Sequence, residues 1–474
     1  MLLSELLKKI SFRDVINFAD TDILNVDCDS RKCKSGHLFV ALEGENHGAC
    51  AFVADAVKRG AAAIVTECSD FETTKFKNVI FSDNARKTMA EVSKALYGEY
   101  LKDMTLIGVT GTKGKTTTAL CLKHILSKSG IPSATIGTLG LVSDFFGYDA
   151  CVTNTTPESC ELYRALRDCR LFGIKAVIVE VSSQALIKWR VFGIEFSAAI
   201  FTNISEDHIG VSEHPTYNDY YRAKKSLFMN YGVKTAFINK RSEAARDIAP
   251  EWIERYFVDY RILTSVTPFN TRFMLGEGIY EIFGGEYNCE NAALAISVAE
   301  RLFGVDRKSA ARALLSFRAQ GRSEMYTLYG KKVVIDYAHN RESVRAVLSY
   351  VSSFTEGRVI AVFGSVGMRS FGRREMLAAA CEECADISVI TADNPNFEPA
   401  ESVCAEIYSY FNDKSRAFVV PDRSDAIIFA ISLARTNDTV VLLGKGHERF
   451  QLIKGERKLF SERALILSMG ARKI

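Results

Sequence analysis

The sequence predicts a multidomain α/β protein built on parallel sheets, and three observations predict it. Short apolar runs alternate with helical stretches from one end to the other. Several of those runs stop in polar tips, where open α/β sheets gather their ligands. One run, LIGV, passes directly into a Gly/Thr loop and then a helix. The 474 residues set a prior of about three domains. With 47% hydrophobic and 25% charged residues and only 8 Pro, the chain is not disordered, collagenous or low-complexity. Its 60 Lys+Arg against 57 Asp+Glu leave a net charge of +3, which favours neither a nucleic-acid nor a membrane surface.

In chain order, MLLSELLKKISFRDV reads as an amphipathic helix and lacks the basic-then-apolar order of a signal peptide. HLFVAL, AAAIVTE and NVIFS read as strands, AFVADAVKRG and ARKTMAEVSKALYGEY as helices, giving an α/β domain over 1–100. A second α/β domain spans 101–317, with strands KAVIVEVSS and AAIFTNIS and a strong helix in ENAALAISVAERLF. A third spans 318–474, with strands KVVIDYAH, RVIAVFG, ISVITADN and TVVLLGKG. No run approaches 18 apolar residues, so no transmembrane helix is expected, and the absent signal peptide makes a cytoplasmic location the expectation. The 12 cysteines are scattered. The lone C-x-x-C, Cys381 and Cys384, lies in an Ala-rich helical run, so free thiols are expected rather than zinc or a redox pair.

Gly111-Thr112-Lys113-Gly114-Lys115-Thr116-Thr117 is a phosphate loop. Its glycines let backbone N–H groups approach phosphate oxygens at a helix N-terminus. Lys115 would lie against the β- and γ-phosphates, and the Thr116 hydroxyl would ligate Mg²⁺. The spacing is the short G-T-x-G-K-T form, since Val109 stands five residues before Gly114. The string Asn239-Lys240-Arg241-Ser242 lacks the Asp of a guanine reader, so the nucleotide is read as ATP. Glu180 at a strand end is a natural Mg²⁺ ligand, and Asn203, Asp207 and His208 form a second polar tip. On pattern alone, Lys224 in Tyr220-x-x-Ala223-Lys224 reads as a solvated helix lysine. His37, His124 and His214 read as structural or surface residues.

Taken in order, G-T-x-G-K-T-T, E-V-S-S, T-N-x-x-x-D-H and Y-x-x-A-K-x-x-L-F resemble the Mur ligase family of peptidoglycan synthesis. Asn288 and Asn291, Gly321-Arg322-Ser323-Glu324, Asp336-Tyr337-Ala338-His339, Asp393-Asn394-Pro395 and Gly444-Lys445-Gly446-His447-Glu448 resemble its MurE branch, as do Asp29-Ser30-Arg31 and GHLFVALEG near the N-terminus. The resemblance covers essentially the whole chain. It implies an N-terminal UDP-muramyl-binding domain, a central P-loop ATPase domain and a C-terminal Rossmann-like domain for the amino acid. It implies an ATP-dependent ligase that activates the D-Glu carboxylate of UDP-N-acetylmuramoyl-L-alanyl-D-glutamate as an acyl phosphate and lets an amine displace the phosphate. The partners are then the UDP-linked muramyl dipeptide and a free diamino acid, and the protein is a monomer with no nucleic-acid or membrane partner.

By the same resemblance, Gly111, Thr112, Lys113, Gly114, Lys115, Thr116 and Thr117 cradle ATP. Thr116, Glu180, His208 and a carbamylated Lys224 hold Mg²⁺. Asn291 lies near the adenine, Arg322 reaches the γ-phosphate and Asp336 the ribose. Ser30, Thr155, Thr156, Ser182 and Arg190 grip the muramyl substrate, Arg190 with a fork suited to two oxygens. Arg374, or its neighbour Arg373, with Asp393, Asn394, Asn396, Gly444 and Glu448, receives the amino acid. Lys115, Lys224, His208 and Arg322 are the catalytic set, and domain closure completes the site and excludes water from the acyl phosphate.

The identity of the amino acid turns on one position. Diaminopimelate-adding relatives carry D-N-P-R, whose Arg meets the second carboxylate. This chain has Asp393-Asn394-Pro395-Asn396, and the nearby G-G-D-R-D pattern reads Val366-Gly367-Met368-Arg369-Ser370. L-lysine is therefore expected ahead of meso-diaminopimelate. Two other departures, Asn340-Arg341 after D-Y-A-H and His47-Gly48-Ala49 in place of D-G-H, touch loop and UDP contacts. The competing readings are a folylpolyglutamate-synthase-like ligase, a non-catalytic nucleotide-binding partner of a cell-wall complex, and an ATPase switch that turns over without an acceptor.

Overall fold

The computed structural model describes residues 1–44, 48–68, 76–148, 154–205, 214–263, 269–368 and 372–474. Its contacts group the chain into two compact units. The first is 1–259 with 291–310, and the second is 260–290 with 311–474.

The first unit carries two sheets. In the N-terminal one, Val79–Phe81, Ala63–Thr66, His37–Val40 and Asn25–Asp27 run parallel in that spatial order, and Asp14–Ile16 adds antiparallel at the edge. The helix expected over the first fifteen residues is only Leu3–Leu7, which buries Leu3 and Leu6. The Ser11 backbone N–H and hydroxyl are then taken by Glu91 (2.6 and 3.1 Å), and this holds the chain extended into its edge strand. The apolar runs expected as strands are strands, and ARKTMAEVSKALY is the helix Ala85–Tyr97, capped by the Asn84 side chain.

The central sheet has the order Glu254–Val258, Thr235–Asn239, Ala198–Phe201, Thr105–Thr110, Ala176–Glu180, Ser133–Gly137, Gly140–Ser143, Gly147–Tyr148. Its first six strands are parallel and its last two antiparallel. Parallel strands are covered on both faces, which is why Ala176–Glu180 and Thr235–Asn239 are buried at every position. The two sheets are tied through the helix Ser159–Leu171. Asp27, 1% exposed, accepts from Arg164 (2.7 Å) and from His37 Nδ1 (2.9 Å), and Lys32 reaches Glu161 (2.6 Å). His37 is thus a structural residue.

In the second unit, Ala417–Val419, Ile387–Ile390, Val359–Phe363, Thr439–Leu443 and Lys331–Asp336 form a parallel sheet, with Glu324–Leu328 and Arg472–Lys473 antiparallel at its edge. A three-stranded antiparallel sheet, Tyr260–Ile262, Asn270–Leu275 and Gly278–Phe283, and a hairpin, Phe450–Ile453 with Glu456–Leu459, complete it. Cys381 and Cys384 lie in the helix Gly372–Cys384, and the cysteines at described positions are free. Among the described residues no helix is long and apolar enough to cross a membrane.

Candidate active site

The phosphate loop links the strand Thr105–Thr110 to the helix Lys115–Lys128. Two of its glycines are obligatory. Gly111 has φ +151° and a Cβ there would stand 1.9 Å from Thr202 Oγ1. Gly114 has φ +81° and its Cβ would stand 2.4 Å from Asn291 Oδ1. The loop is held from the neighbouring strand end: Asn203 O accepts from Thr112 N (2.9 Å), Asn203 Oδ1 from Lys113 N (3.0 Å), and the Thr202 hydroxyl donates to Lys113 O (2.6 Å). Asn291, 4% exposed, accepts from the Thr118 hydroxyl at 3.0 Å, so it lies against the start of the same helix. The Lys115 ammonium folds back onto the Gly111 and Thr112 carbonyls at 2.8 and 3.0 Å. Thr117 is buried in the first turn.

Glu180 ends the next strand, 2% exposed. Its carboxylate accepts from the Thr116 hydroxyl (2.7 Å), the Thr138 N–H (3.0 Å) and the Thr138 hydroxyl (3.1 Å). Burial pushes its carboxyl above the usual range, against the pull of Thr116, Lys115 and Thr138. Thr138 escaped the sequence reading. It directly follows the strand Ser133–Gly137, which pairs in parallel with the strand ending at Glu180, so the strand-end rule could have found it. Hydroxyls and a carboxylate are the hard oxygen donors that suit Mg²⁺. Among the described residues no group of three or more His, Cys, Asp or Glu gathers as a metal site. Asp207 and His208 lie outside the described residues.

Lys224 is not the solvated lysine its pattern suggests. It is 1% exposed, donates to Gly111 O at 2.9 Å, and stands 4.3 Å from the centre of the Tyr220 ring. Tyr220 in turn shares a hydrogen bond with the Thr112 hydroxyl (2.9 Å). The expected surface reading fails because the helix Tyr217–Asn230 turns this face toward the phosphate loop. His214 is also buried, 2.8 Å from the Ser183 hydroxyl.

Beside Glu180, the Thr156 hydroxyl donates to the Glu180 carbonyl (2.8 Å) and meets Ser182 Oγ (3.3 Å), while Ser182 caps the helix Ser183–Ile187. Thr155 is half-buried next to it. Arg190 is 6% exposed, and its fork is occupied: Nε and Nη2 bond Glu158 (3.0 and 2.8 Å), and Nη1 bonds Thr156 O (3.2 Å). It orders the Thr156 segment from behind. Just after the strand Asn25–Asp27, Asp29 receives the Arg31 fork and Ser30 is buried beside it.

In the second unit, Asp336 ends its strand with one oxygen on the Ala338 N–H (2.7 Å) and the other on the Ser323 N–H (2.7 Å) and hydroxyl (3.2 Å). Burial raises its pKa, and Arg322 and these bonds oppose that. The Arg322 guanidinium lies 4.8 Å from the centre of the Tyr337 ring, and its buried Nε has no partner among the described residues. Arg374 is 2% exposed and its fork lies on Glu398 (2.9 and 2.6 Å), with Glu406 on the same side. The expectation that it presents a free fork to a substrate carboxylate is not met. Its neighbour Arg373 is half-buried and bonds the His339 carbonyl at 3.0 and 2.8 Å.

Asp393, Asn394, Gly444 and Glu448 do come together. Asn394 Nδ2 donates to Glu448 Oε2 (3.1 Å), and a Cβ on Gly444 would stand 3.0 Å from Asp393 Oδ2. Asn396 has φ +55° and pairs its backbone with Leu452 and Lys454, while its Oδ1 accepts the Gly455 N–H at 3.0 Å. Its side chain therefore staples the hairpin turn. Lys445, buried among these residues, escaped the sequence reading, although it lies inside the quoted G-K-G-H-E string.

Comparison with known proteins agrees with this geometry. The profile for the Mur ligase family catalytic domain matches residues 22–100, that for the Mur ligase middle domain 109–299, and that for the Mur ligase glutamate ligase domain 321–446. UDP-N-acetylmuramoyl-L-alanyl-D-glutamate--2,6-diaminopimelate ligase of Clostridium tetani is 31% identical, covering 98% of both chains. UDP-N-acetylmuramyl-tripeptide synthetase of Ligilactobacillus salivarius is 33% identical, covering 94% of this chain and 93% of its own. A solved UDP-N-acetylmuramoyl-L-alanyl-D-glutamate--2,6-diaminopimelate ligase superposes with a TM-score of 0.62 at 27% identity over 94% of each chain. MurF ligase of Thermotoga maritima in complex with ADP shares the fold, with a TM-score of 0.64 at 17% identity over 90% of this chain and 95% of its own. With a family profile on each of its three stretches and relatives above 30% identical along nearly its whole length, the chain belongs to the Mur ligase family of ATP-dependent amide ligases.

Proposed function

We propose that this ligase joins a diamino acid, L-lysine in preference to meso-diaminopimelate, to the D-Glu carboxylate of UDP-N-acetylmuramoyl-L-alanyl-D-glutamate in the cytoplasm, as a monomer divided near residues 100 and 317. The observation that carries the choice of amino acid is Asn396. It stands where a cation would meet a second carboxylate, and its amide oxygen is engaged with Gly455. Against it stand relatives whose own names specify diaminopimelate.

In this reading Lys115 exchanges the Gly111 and Thr112 carbonyls for the β- and γ-phosphates. Asn291 lies near the adenine, and Arg322 and Asp336 serve the γ-phosphate and ribose. Thr116, Glu180, His208 and a carbamylated Lys224 would hold Mg²⁺, which would supply positive charge against the phosphate oxygens. Ser30, Thr155, Thr156 and Ser182 contact the muramyl substrate, with Arg190 ordering that segment. The D-Glu carboxylate attacks the γ-phosphorus and ADP leaves. The amine then adds to the acyl carbon and gives up a proton, and the C–O bond breaks as phosphate leaves with its electron pair. Both steps gather negative charge on oxygen, so these residues act by position and electrostatics. Asp393, Asn394, Asn396, Gly444 and Glu448 receive the amino acid. Arg374 is held by two carboxylates, Glu398 and Glu406, whereas Arg373 bonds a neutral carbonyl, so Arg373 becomes the better candidate for the α-carboxylate.

The test is phosphate release with ATP, Mg²⁺ and the muramyl dipeptide, comparing L-lysine with meso-diaminopimelate and identifying the product by mass. Product with lysine and not diaminopimelate is expected. The reverse result would refute the lysine assignment, and phosphate release without any acceptor would refute the ligation itself.

A further inference from the structure

Lys445 follows the strand Thr439–Leu443 and is 0% exposed. A fully buried ammonium persists only where its donors are met. Here they meet Asn394 Oδ1 at 2.8 Å and Glu448 Oε2 at 2.5 Å, with Asp393 Oδ1 at 3.7 Å. Asn394 closes a ring, because its Nδ2 donates to the same Glu448 oxygen (3.1 Å). Its Oδ1 also accepts the Leu452 N–H (2.9 Å), and the Asp393 carbonyl accepts from Gln451 Nε2 (2.9 Å). Three segments distant in sequence thus meet on one cation: the Asp393-Asn394 loop, the Lys445–Glu448 turn and the start of the hairpin strand Phe450–Ile453.

The arrangement leaves Glu448 half-spent. Its Oε2 takes both bonds of the ring, and the residue keeps 18% of its side chain exposed. With Asp393 and Glu448 ionised, the cluster carries one net negative charge, which suits the ammonium end of an amino acid. Lys445 itself has no exposed surface with which to touch one.

We propose that Lys445 is a positioning residue for the incoming amino acid. It locks Asn394 and Glu448 as one unit through Glu448 Oε2 and sets the charge of the cluster. This rests on the proposed function, which gives Asn394 and Glu448 to the amino acid.

The test measures kcat, KM for each of the three substrates, and Tm for wild type, Lys445→Met, Glu448→Gln and the double variant. Lysine serves as the amine, or whichever diamino acid the wild type accepts. Lys445→Met should raise KM for the amino acid by about tenfold or more and leave KM for ATP and for the muramyl dipeptide within about twofold. The double variant removes Lys445 together with its nearest carboxylate and keeps the cluster at one net negative charge, so it should destabilise less than the single variant, which leaves two carboxylates without their cation. Its amino-acid KM should lie within about twofold of Glu448→Gln. A parallel rise of all three KM values with a lower Tm would reduce Lys445 to a structural role and overturn the proposal. So would an unchanged amino-acid KM in Lys445→Met, or a double variant whose losses multiply. A wild-type enzyme that forms no product with any diamino acid would instead overturn the proposed function, and this inference with it.

Discussion

Lys224 and Glu180 are two residues whose surroundings, rather than their types, decide their chemistry. One is a buried ammonium on the Gly111 carbonyl, the other a buried carboxylate fed by three hydrogen bonds from Thr116 and Thr138. Glu180→Gln keeps the shape and removes the charge, so turnover should fall by about a hundredfold or more with Tm nearly unchanged. Steady-state kinetics with a thermal melt checks both halves. Lys224→Met should abolish turnover, and the carbamate signal expected from the wild type by ¹³C NMR in ¹³C-bicarbonate should be absent from the variant. His447 belongs at this scale too. Burial, then Arg322 and Lys445, hold its pKa down to about 3, from 6.5. The unfolded chain takes up the proton below pH 6.5 and the folded chain does not until about pH 3. Its contribution is therefore complete above pH 6.5 and is lost as pH falls, at up to about 1.4 kcal/mol per pH unit. His447→Gln should flatten this part of the stability–pH curve, as read by denaturant titration from pH 7 to 4.

At the scale of elements, the phosphate loop and the hairpin respond differently to substitution. Gly114→Ala puts a Cβ 2.4 Å from Asn291 Oδ1 in a left-handed backbone position. It should cost about 1–2 kcal/mol and raise KM for ATP steeply, as read by calorimetry and kinetics. Asn396→Arg gives up the bond to Gly455, costing about 1 kcal/mol, and puts a cation at the position that the proposed function ties to a second carboxylate. The ratio of kcat/KM for meso-diaminopimelate over lysine should rise by about tenfold or more. The parallel strands with unbroken apolar runs, such as Ala176–Glu180 and Thr439–Leu443, were legible because both faces are covered, whereas parallel strands with polar ends, such as Thr235–Asn239 and Glu254–Val258, were not read. The antiparallel ones were not. Asn270–Leu275 alternates buried and half-buried positions with Asn, Thr and Arg among them, and Glu456–Leu459 is exposed throughout. The loop tips were legible as motifs, but their internal partners were not. Nothing in the spacing says that Glu158 fills the Arg190 fork or that Glu398 fills that of Arg374.

For the molecule as a whole, a few buried ion pairs carry long-range connectivity. Asp27 joins the N-terminal sheet to the helix Ser159–Leu171 through Arg164 and holds His37 at the same time. Removing its charge leaves the Arg164 guanidinium without its carboxylate. Asp27→Asn should therefore destabilise the first unit by about 2–4 kcal/mol and lower its melting transition in scanning calorimetry. Asp438 plays the matching part in the second unit, where burial raises its pKa but bonds from Arg435 and Arg358 outweigh that and hold it below 3.8. Its stabilisation is present above pH 3.8 and is lost as pH falls through the lowered value.

The first unit is discontinuous along the chain, since residues 291–310 return to it after 260–290 have gone to the second. During synthesis from the N-terminus, a nascent polypeptide that has reached Asp259 still lacks the helical segment that supplies Asn291. Until that segment emerges, the underside of the phosphate loop is open to water, and chaperones have a window in which to bind. A polypeptide stopped at Asp259 should accumulate as aggregate, while one extended to Ala310 should stay dispersed after centrifugation.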